Sequence, residues 1–495
     1  MKSLTKIGLS ALFAFTLTGC LEQYPDNAIP SGEAIQTVSE ADQAIIGIYA
    51  GFKSSALYSG YLTHLPDVQT DLMQAVEGFS NRYGDIWRWN ILATNKEIES
   101  VYASLYTIIG RCNFFFDSIV ELEKTLTDDE QIDKLQGLKG EAYFFRALAY
   151  SELIKCFCKA YEPSAAADEL GVALITSYYH PERMTRSSLK DSYDFVMSDL
   201  EKALELVTLE NVNNSAYVSK EAVKALMARN YLYMQNWEKA RDYATELIES
   251  DYLALSKANT LYTSDMSYYQ YLWKYDAGSE IIWKIGFTTT SYGGALGQPF
   301  LGYNYTAYLP DYVPADWALY LYDEGDQRAT TFFKQVTTGY PHGLTCPLLF
   351  KYEGNANFMQ NNILEVNMPK VFRLSEQYLI RAEAYCRLGE YSNAAEDLTT
   401  LRQARYSTYG SAALGEDNWL EEISNERVRE LFMEGFRLQD LKRWHKGFER
   451  NPQQHTVTSG NALKIEADNV LFVWPIPQHE LDAPGSDMQP NDSNQ

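Results

Sequence analysis

The sequence predicts a mostly α-helical protein in which helical hairpins of tetratricopeptide type form a scaffold, packed against an irregular, partly β region that would bind ligand. Three observations carry that prediction. Apolar residues recur at three- and four-residue steps through most of the chain, as one buried helix face requires. One helical pair recurs far downstream with its small and aromatic residues at identical offsets. Between the two copies lies a stretch rich in Gly, Pro, Tyr and Trp with no helical period.

Taken in order, the chain opens with Lys2 and Lys6, an apolar run from Ile7 to Leu17, and Leu17-Thr18-Gly19-Cys20. A charged start, a short apolar core and a Cys directly after small residues read as a lipoprotein signal over residues 1–19, with Cys20 the lipidated first residue of the mature chain. Residues 20–38 form a polar, Pro-containing tether. No later run is apolar enough to span a bilayer, so the lipid would be the only anchor.

The remainder, 39–495, reads as one unit. A capped helix is expected from Ser39 to Phe52, and a longer one from Ile98 to Leu122, where Val101, Leu105, Ile108, Cys112, Phe116 and Ile119 share a face. The segment between them, HLPDVQTDLMQAVEGFSNRYGDIWRWN, is less regular. Helices follow over 137–161 and 187–207, then the pair 219–250. Ala228, Tyr231, Trp237 and Ala240 of that pair match Ala382, Tyr385, Tyr391 and Ala394. Small residues that let two helices approach and an aromatic that fills the notch are the core logic of tetratricopeptide hairpins. Paired helices therefore span about 98–250 and 372–406, and more than a hundred intervening residues argue against adjacent units of a regular solenoid. The insert, about 252–371, contains EIIWKIGF, which reads as a strand, followed by Tyr-rich loops; long loops on a rigid scaffold are where binding usually resides.

In the C-terminal segment, about 416–495, Val428, Leu431, Gly435 and Leu438 predict one helix from Ile423 to Trp444, capped by Ser424 or Asn425. Gly in mid-helix costs about 1 kcal/mol against Ala, so Gly435 marks a close approach. Glu434, Arg437 and Asp440 read as ion-paired structural charges. VLFVWPIPQHEL reads as a short strand broken by two prolines.

A net charge of −24 opposes binding to nucleic acid or anionic membrane surfaces. The 37 Tyr outnumber the 22 Phe and 9 Trp together, and Tyr tolerates one dry face and one wet edge. Cys112, Cys156, Cys158, Cys346 and Cys386 show no disulfide framework or zinc spacing and read as buried free thiols. No cofactor motif is present. TSDMS and LYDEGDQR lack the full ladder of a calcium loop, which leaves a structural Ca²⁺ open.

The motifs in order are the lipobox followed by LEQYP, the QTD segment, Tyr102 and Tyr106, GEAYFFRALAY, the two repeat units, RVRELFMEGFRLQDLKRW and WPIPQHEL. Together they resemble the SusD/RagB family of Bacteroidetes lipoproteins over nearly the whole mature chain. The most specific parts are Glu434, Gly435, Arg437, Asp440, Leu441 and Trp444, with Trp474 to Pro477. The resemblance implies a cell-surface lipoprotein of the outer membrane. Such a protein would cap a SusC-like, TonB-dependent barrel and capture nutrient, most often an oligosaccharide, sometimes a peptide. The helical face would look toward the barrel.

The resemblance also points to aromatics after the first helix and between the repeat copies as the ligand contacts. Here these are Tyr83, Trp87, Trp89, Tyr303, Tyr305, Tyr308 and Trp317, with Tyr292 and Tyr312 near them. Trp87 and Trp89 would share a face if the chain is extended there. Arg82, Asn90 and Asn304 are the expected polar partners for sugar hydroxyls. A glycoside hydrolase would need two facing carboxylates, which Asp311, Asp316, Asp323, Glu324 or Asp326 could supply, but with 66 acidic residues such clusters arise by chance. The absence of Walker, H-E-x-x-H and G-x-S-x-G motifs removes the common phosphate, zinc and serine-hydrolase readings. The expectation is capture without chemistry, the alternatives being a peptide-binding protein of the same uptake system or a hydrolase.

Overall fold

A computed structural model describes residues 34–179, 183–458 and 463–495; Cys20 and most of the expected tether lie outside them. Helix α1 (Val38–Gly51) starts one residue before the expected point, because Thr37 and Glu40 form a reciprocal capping box. The segment read as irregular is more structured than its sequence suggests: α2 (Tyr61–Val68), strand β1 (Met73–Ala75) and the single turn α3 (Gly84–Trp87) occupy it. Asn95 caps α4 (Lys96–Ser118), which is followed by α5 (Val120–Thr125). Helix α6 (Asp129–Phe157) starts before the predicted 137, since Asp128 caps an amphipathic turn upstream. It packs between α4 and α7 (Leu189–Leu206).

The first copy of the repeat is α8 (Lys220–Tyr233) and α9 (Trp237–Ile248). Next come β2 (Leu261–Thr263), β3 (Met266–Ser267), α10 (Tyr268–Tyr275), β4 (Ile281–Lys284), β5 (Tyr312–Pro314), α11 (Asp316–Leu319), α12 (Gln327–Phe332), β6 (Phe333–Thr337), β7 (Thr345–Leu349), α13 (Ala356–Met359) and β8 (Lys370–Arg373). The second copy is α14 (Leu374–Arg387) and α15 (Tyr391–Arg405). Contrary to the expectation from chain separation, the two copies are neighbours: α14 packs on both α8 and α9. The insert loops out between them. Antiparallel pairing of β4 with β8, from Ile281↔Arg373 to Lys284↔Lys370, closes its neck. Closure entropy grows only as the logarithm of loop length, so a long excursion is tolerated once its ends are tied. Ala228, Ala240, Ala382 and Ala394, the matched small residues, are all fully buried. Every named sheet is two-stranded and antiparallel.

The helix expected from Ile423 to Trp444 is two helices, α16 (Trp419–Leu431) and α17 (Arg437–Arg443). Gly435 lies in the turn between them at φ +86°, a conformation that strains any other residue. The close approach is real but has a different cause: a methyl group at Gly435 would run into the Leu62 carbonyl of α2. Asp67 of the same helix accepts the Gly435 and Arg437 amides at 2.9 and 2.8 Å, capping α17 from outside. The expected caps are not used; Ser424 accepts a bond from Arg437 instead. Short strands β9 (Phe448–Glu449) and β10 (Lys464–Ile465) follow, then α18 (Gln478–Asp482). The stretch read as a broken strand is a single 3-10 turn, Val470–Phe472, and an extended segment. Pro475 and Pro477 cannot donate to a ladder, and the Trp474 amide donates instead to the Cys156 carbonyl at the end of α6.

These signature segments meet one another. Gln69 receives the Trp474 indole N–H at 2.8 Å and donates to the Leu471 carbonyl, while Asp71 pairs with Arg437 at 2.8 Å. Behind α16 lies a buried charge network. Glu430 accepts from Arg373, Arg405 and Arg328 at 2.8–3.2 Å; Glu426 from Arg328, Arg402 and Arg429; Glu434 from Arg373 and Lys351; Glu280 from Arg373 and Arg405. Burial opposes ionisation of Glu426 and Glu430, but the surrounding guanidiniums outweigh it and hold both carboxyls well below the usual range. The network ties α12, β8, α15 and α16 together at the neck of the insert.

Candidate functional site

Beside the main core, a small satellite core of Val76, Leu301, Val313, Leu344, Leu348 and Phe350 supports the outer part of the insert. The β1–β5 ladder and the β6–β7 hairpin frame it. From it rises a closed loop whose stem is the Leu309 amide on the Leu301 carbonyl at 3.0 Å. Gly302 turns the chain at φ +53°. The Asn304 carboxamide oxygen then accepts from the Thr306 and Ala307 amides and the Thr306 hydroxyl. That Asx-type turn fixes the loop without secondary structure.

The loop presents three rings. Tyr303 stands 4.7 Å from Tyr308 and 6.1 Å from Tyr305, and Tyr308 rests edge-on against Phe350 of the satellite core at 5.5 Å. Tyr305 at the tip is 66% exposed and Tyr303 36%. The Tyr303 amide is held by the Glu365 carboxylate at 2.7 Å. Next to this loop Arg82 donates to Gln298 at 2.8 Å and faces Asp311 at 3.4 Å, while the other Asp311 oxygen takes the Ser80 amide. Polar donors and acceptors thus sit beside an exposed aromatic row, which suits a ligand with apolar C–H faces and a rim of hydroxyls.

The surface continues past Tyr308. The Gly339 amide donates to the Tyr308 carbonyl, Tyr340 bonds the Pro310 carbonyl, and Tyr340, His342 and His455 stack at 5.2 and 4.4 Å. Near that stack a groove of about 380 Å³ is lined by Glu77, Phe79, Asn81, Arg88 and Thr456.

Of the residues expected from sequence, Arg82, Tyr303, Asn304, Tyr305 and Tyr308 come together here. Asn304 does so chiefly as the turn-former. Trp87 and Trp89 do not: α3 and the turn after it carry them inward, to 1% and 7% exposure. Their indole N–H groups donate to the Met73 and Gln69 carbonyls, and Arg450 covers Trp87 at 4.5 Å. The chain is not extended there, so the two do not form an open face. Tyr83 is likewise buried, against His64 and Tyr61. Asn90 is exposed beyond this turn. Trp317 is half-buried, bonded to the Asp71 carbonyl and covered by Arg437, which makes it part of the scaffold contact. Tyr292 is exposed on another loop, and Tyr312 is buried in β5. Asp326, one of the carboxylates considered for hydrolysis, is buried under Arg328.

Gln298, Glu365, Tyr340, His342 and His455 were not legible as members of this surface. They lie in separate loops, and only the GYPHG and NPQQH turn compositions marked two of those loops as exposed. Among the described residues, no group of three or more His, Cys, Asp or Glu is arranged to hold a metal ion, and no helix is long and apolar enough to cross a membrane.

Comparison with known proteins agrees along the chain. A family model described as "Starch-binding associating with outer membrane" matches residues 20–232, and the model of the SusD family matches 279–492. SusD-like protein P2 of Formosa agariphila is 23% identical over 96% of this chain and 97% of its own. A SusD superfamily structure from Bacteroides vulgatus shares 26% identity with a TM-score of 0.77, covering 92% of this chain and 99% of that one. Surface glycan-binding protein A of Bacteroides fluxus, at 19% identity and a TM-score of 0.68 over 92% and 100% of the two chains, has the same fold. With both halves matched by models of one family and the full-length fold shared with its solved members, this chain belongs to the SusD/RagB family.

Proposed function

We propose that the protein is a cell-surface glycan-binding lipoprotein, anchored through Cys20, that captures an oligosaccharide and hands it to a SusC-like TonB-dependent barrel without altering it. The observation that carries this reading is the aromatic row in which Tyr308, half-buried on the satellite core, backs Tyr303 and Tyr305, both open to solvent beside Arg82, Gln298 and Asp311. Stacking on a sugar's C–H face needs exposed, preorganised rings, and Tyr supplies large contact area at low conformational cost. Family membership and the described glycan binding of relatives support the ligand class. In this reading the helical hairpins would face the barrel.

The ligand class is tested by probing an array of glycans and peptides with the soluble chain lacking Cys20. Binding to one or more glycans is expected, with no release of reducing sugar on incubation with the same polysaccharide. Hits confined to peptides would replace this reading with a peptide-capturing one, and sugar release would replace it with a hydrolase.

A further inference from the structure

A second group of exposed rings stands apart from the satellite core, on the β2–β3 hairpin and α10. Tyr268, Tyr271 and Tyr275 fall on one stripe of α10, while Tyr269, Leu272 and Trp273 fill the buried stripe. Strand β2 lays Tyr262 over that exposed stripe. Tyr262 and Tyr271 lie 4.1 Å apart with 33° between planes, Tyr271 and Tyr275 5.1 Å apart with 28°. Tyr268 meets Tyr262 at 73° and 5.5 Å, so the two make an open corner. They remain 45% and 47% exposed.

The corner is rigidly held. Ser267 and Gln270 form a reciprocal capping box at the start of α10, and Tyr269 below lies 4.3 Å from the Arg405 guanidinium of the buried network. The Ala258 amide donates to the Ala404 carbonyl, tying the hairpin to α15. Rings fixed in this way keep their exposed faces at little further entropic cost on binding. Thr260 and Thr263 flank the corner, and the Thr263 hydroxyl donates to the exposed Asp265 carboxylate at 2.8 Å, so the rim carries hydroxyls and one acidic acceptor.

We propose that this corner is a second carbohydrate-binding platform, on which a sugar ring packs its C–H face against Tyr262 while Tyr268 walls one side. The inference rests on the glycan-binding reading of the chain and adds a site to it. Phenol rings beside hydroxyls and a carboxylate acceptor match a saccharide better than an anionic ligand, which the carboxylate would repel. Two platforms on one chain would engage a polysaccharide together and raise its retention by avidity, whereas a short oligosaccharide would occupy one at a time.

Affinity electrophoresis in gels containing starch, xylan, mannan or mixed-linkage β-glucan separates the outcomes. Y262A/Y268A is expected to weaken retardation by the retaining polysaccharide at least threefold, with unchanged melting temperature, while Y262F/Y268F, which keeps the rings, stays retarded. Undiminished retardation of Y262A/Y268A, with loss only in Y303A/Y305A, would overturn the second platform and leave the first. Equal weakening of Y262F/Y268F would overturn the stacking argument. Failure of every polysaccharide to retard the wild-type chain would overturn both sites.

Discussion

Replacing Glu430 by Gln keeps the shape of the side chain and removes its charge at the centre of the buried network. Its two oxygens accept four N–H groups, from Arg373, from Arg328 and twice from Arg405. Gln retains one oxygen and turns an NH₂ toward guanidinium donors, so two charge-assisted bonds are lost at about 1.5–3 kcal/mol each. That range agrees with the roughly 3–5 kcal/mol cost of removing one partner from a buried ion pair. The cost arises because the guanidiniums stay buried without compensation, even though the intact network need not stabilise more than an apolar core would. With an unfolding entropy of roughly 2.1 cal/mol/K per residue, the melting temperature of a cooperative unit this large falls only about 3–5 °C. Urea titration at fixed pH gives the free energy more directly. Ligand affinity should not change at temperatures where the variant is folded, since Glu430 is fully buried. A variant within about 0.5 kcal/mol of wild type, the ordinary range for surface substitutions, would refute the argument that these charges hold the neck of the insert closed.

Other outcomes follow from the same geometry. Gly435→Leu should cost more than about 2 kcal/mol, because it adds strain at positive φ to a clash with the Leu62 carbonyl, and its ligand affinity should fall only where it unfolds. Trp87→Ala should cost about 3–5 kcal/mol in chemical denaturation without a specific binding defect, as expected for a core aromatic. Burial opposes ionisation of Glu383, but Arg443 overcomes it and holds the carboxyl at about 2. Since an unfolded Glu titrates near about 4.3, the wild-type advantage over Glu383→Gln, on the order of 3 kcal/mol, should be full above about pH 5. It should disappear as pH falls toward 2, and melting curves of both chains across that range will show whether the gap closes.

Much of the scaffold was legible because its signals are local. The Ala228 and Ala382 repeats gave both hairpins, and the ordered motifs identified the family. What the sequence could not show was how distant segments meet. The two hairpins are neighbours because β4 and β8 close the insert, a pairing between residues 281 and 373 that no local period reveals. The break at Gly435 was hidden because apolar spacing continues across it; the turn is set by Asp67 and Leu62, far away in the chain. At the site, exposure decided what pattern could not. Trp87 and Tyr305 are both aromatics in stretches with Tyr and Asn nearby, yet helix α3 and a buried carbonyl take the Trp87 N–H inward while an Asx turn holds Tyr305 out. Side-chain type alone does not separate those two fates.

Calorimetric titration of Y303A/Y305A against a short oligosaccharide of the glycan that binds the wild-type chain tests most directly whether the exposed tyrosines of the insert loop hold glycan. Binding weakened at least tenfold, with the melting temperature unchanged, is the predicted result. Wild-type affinity in the folded double variant would contradict that reading.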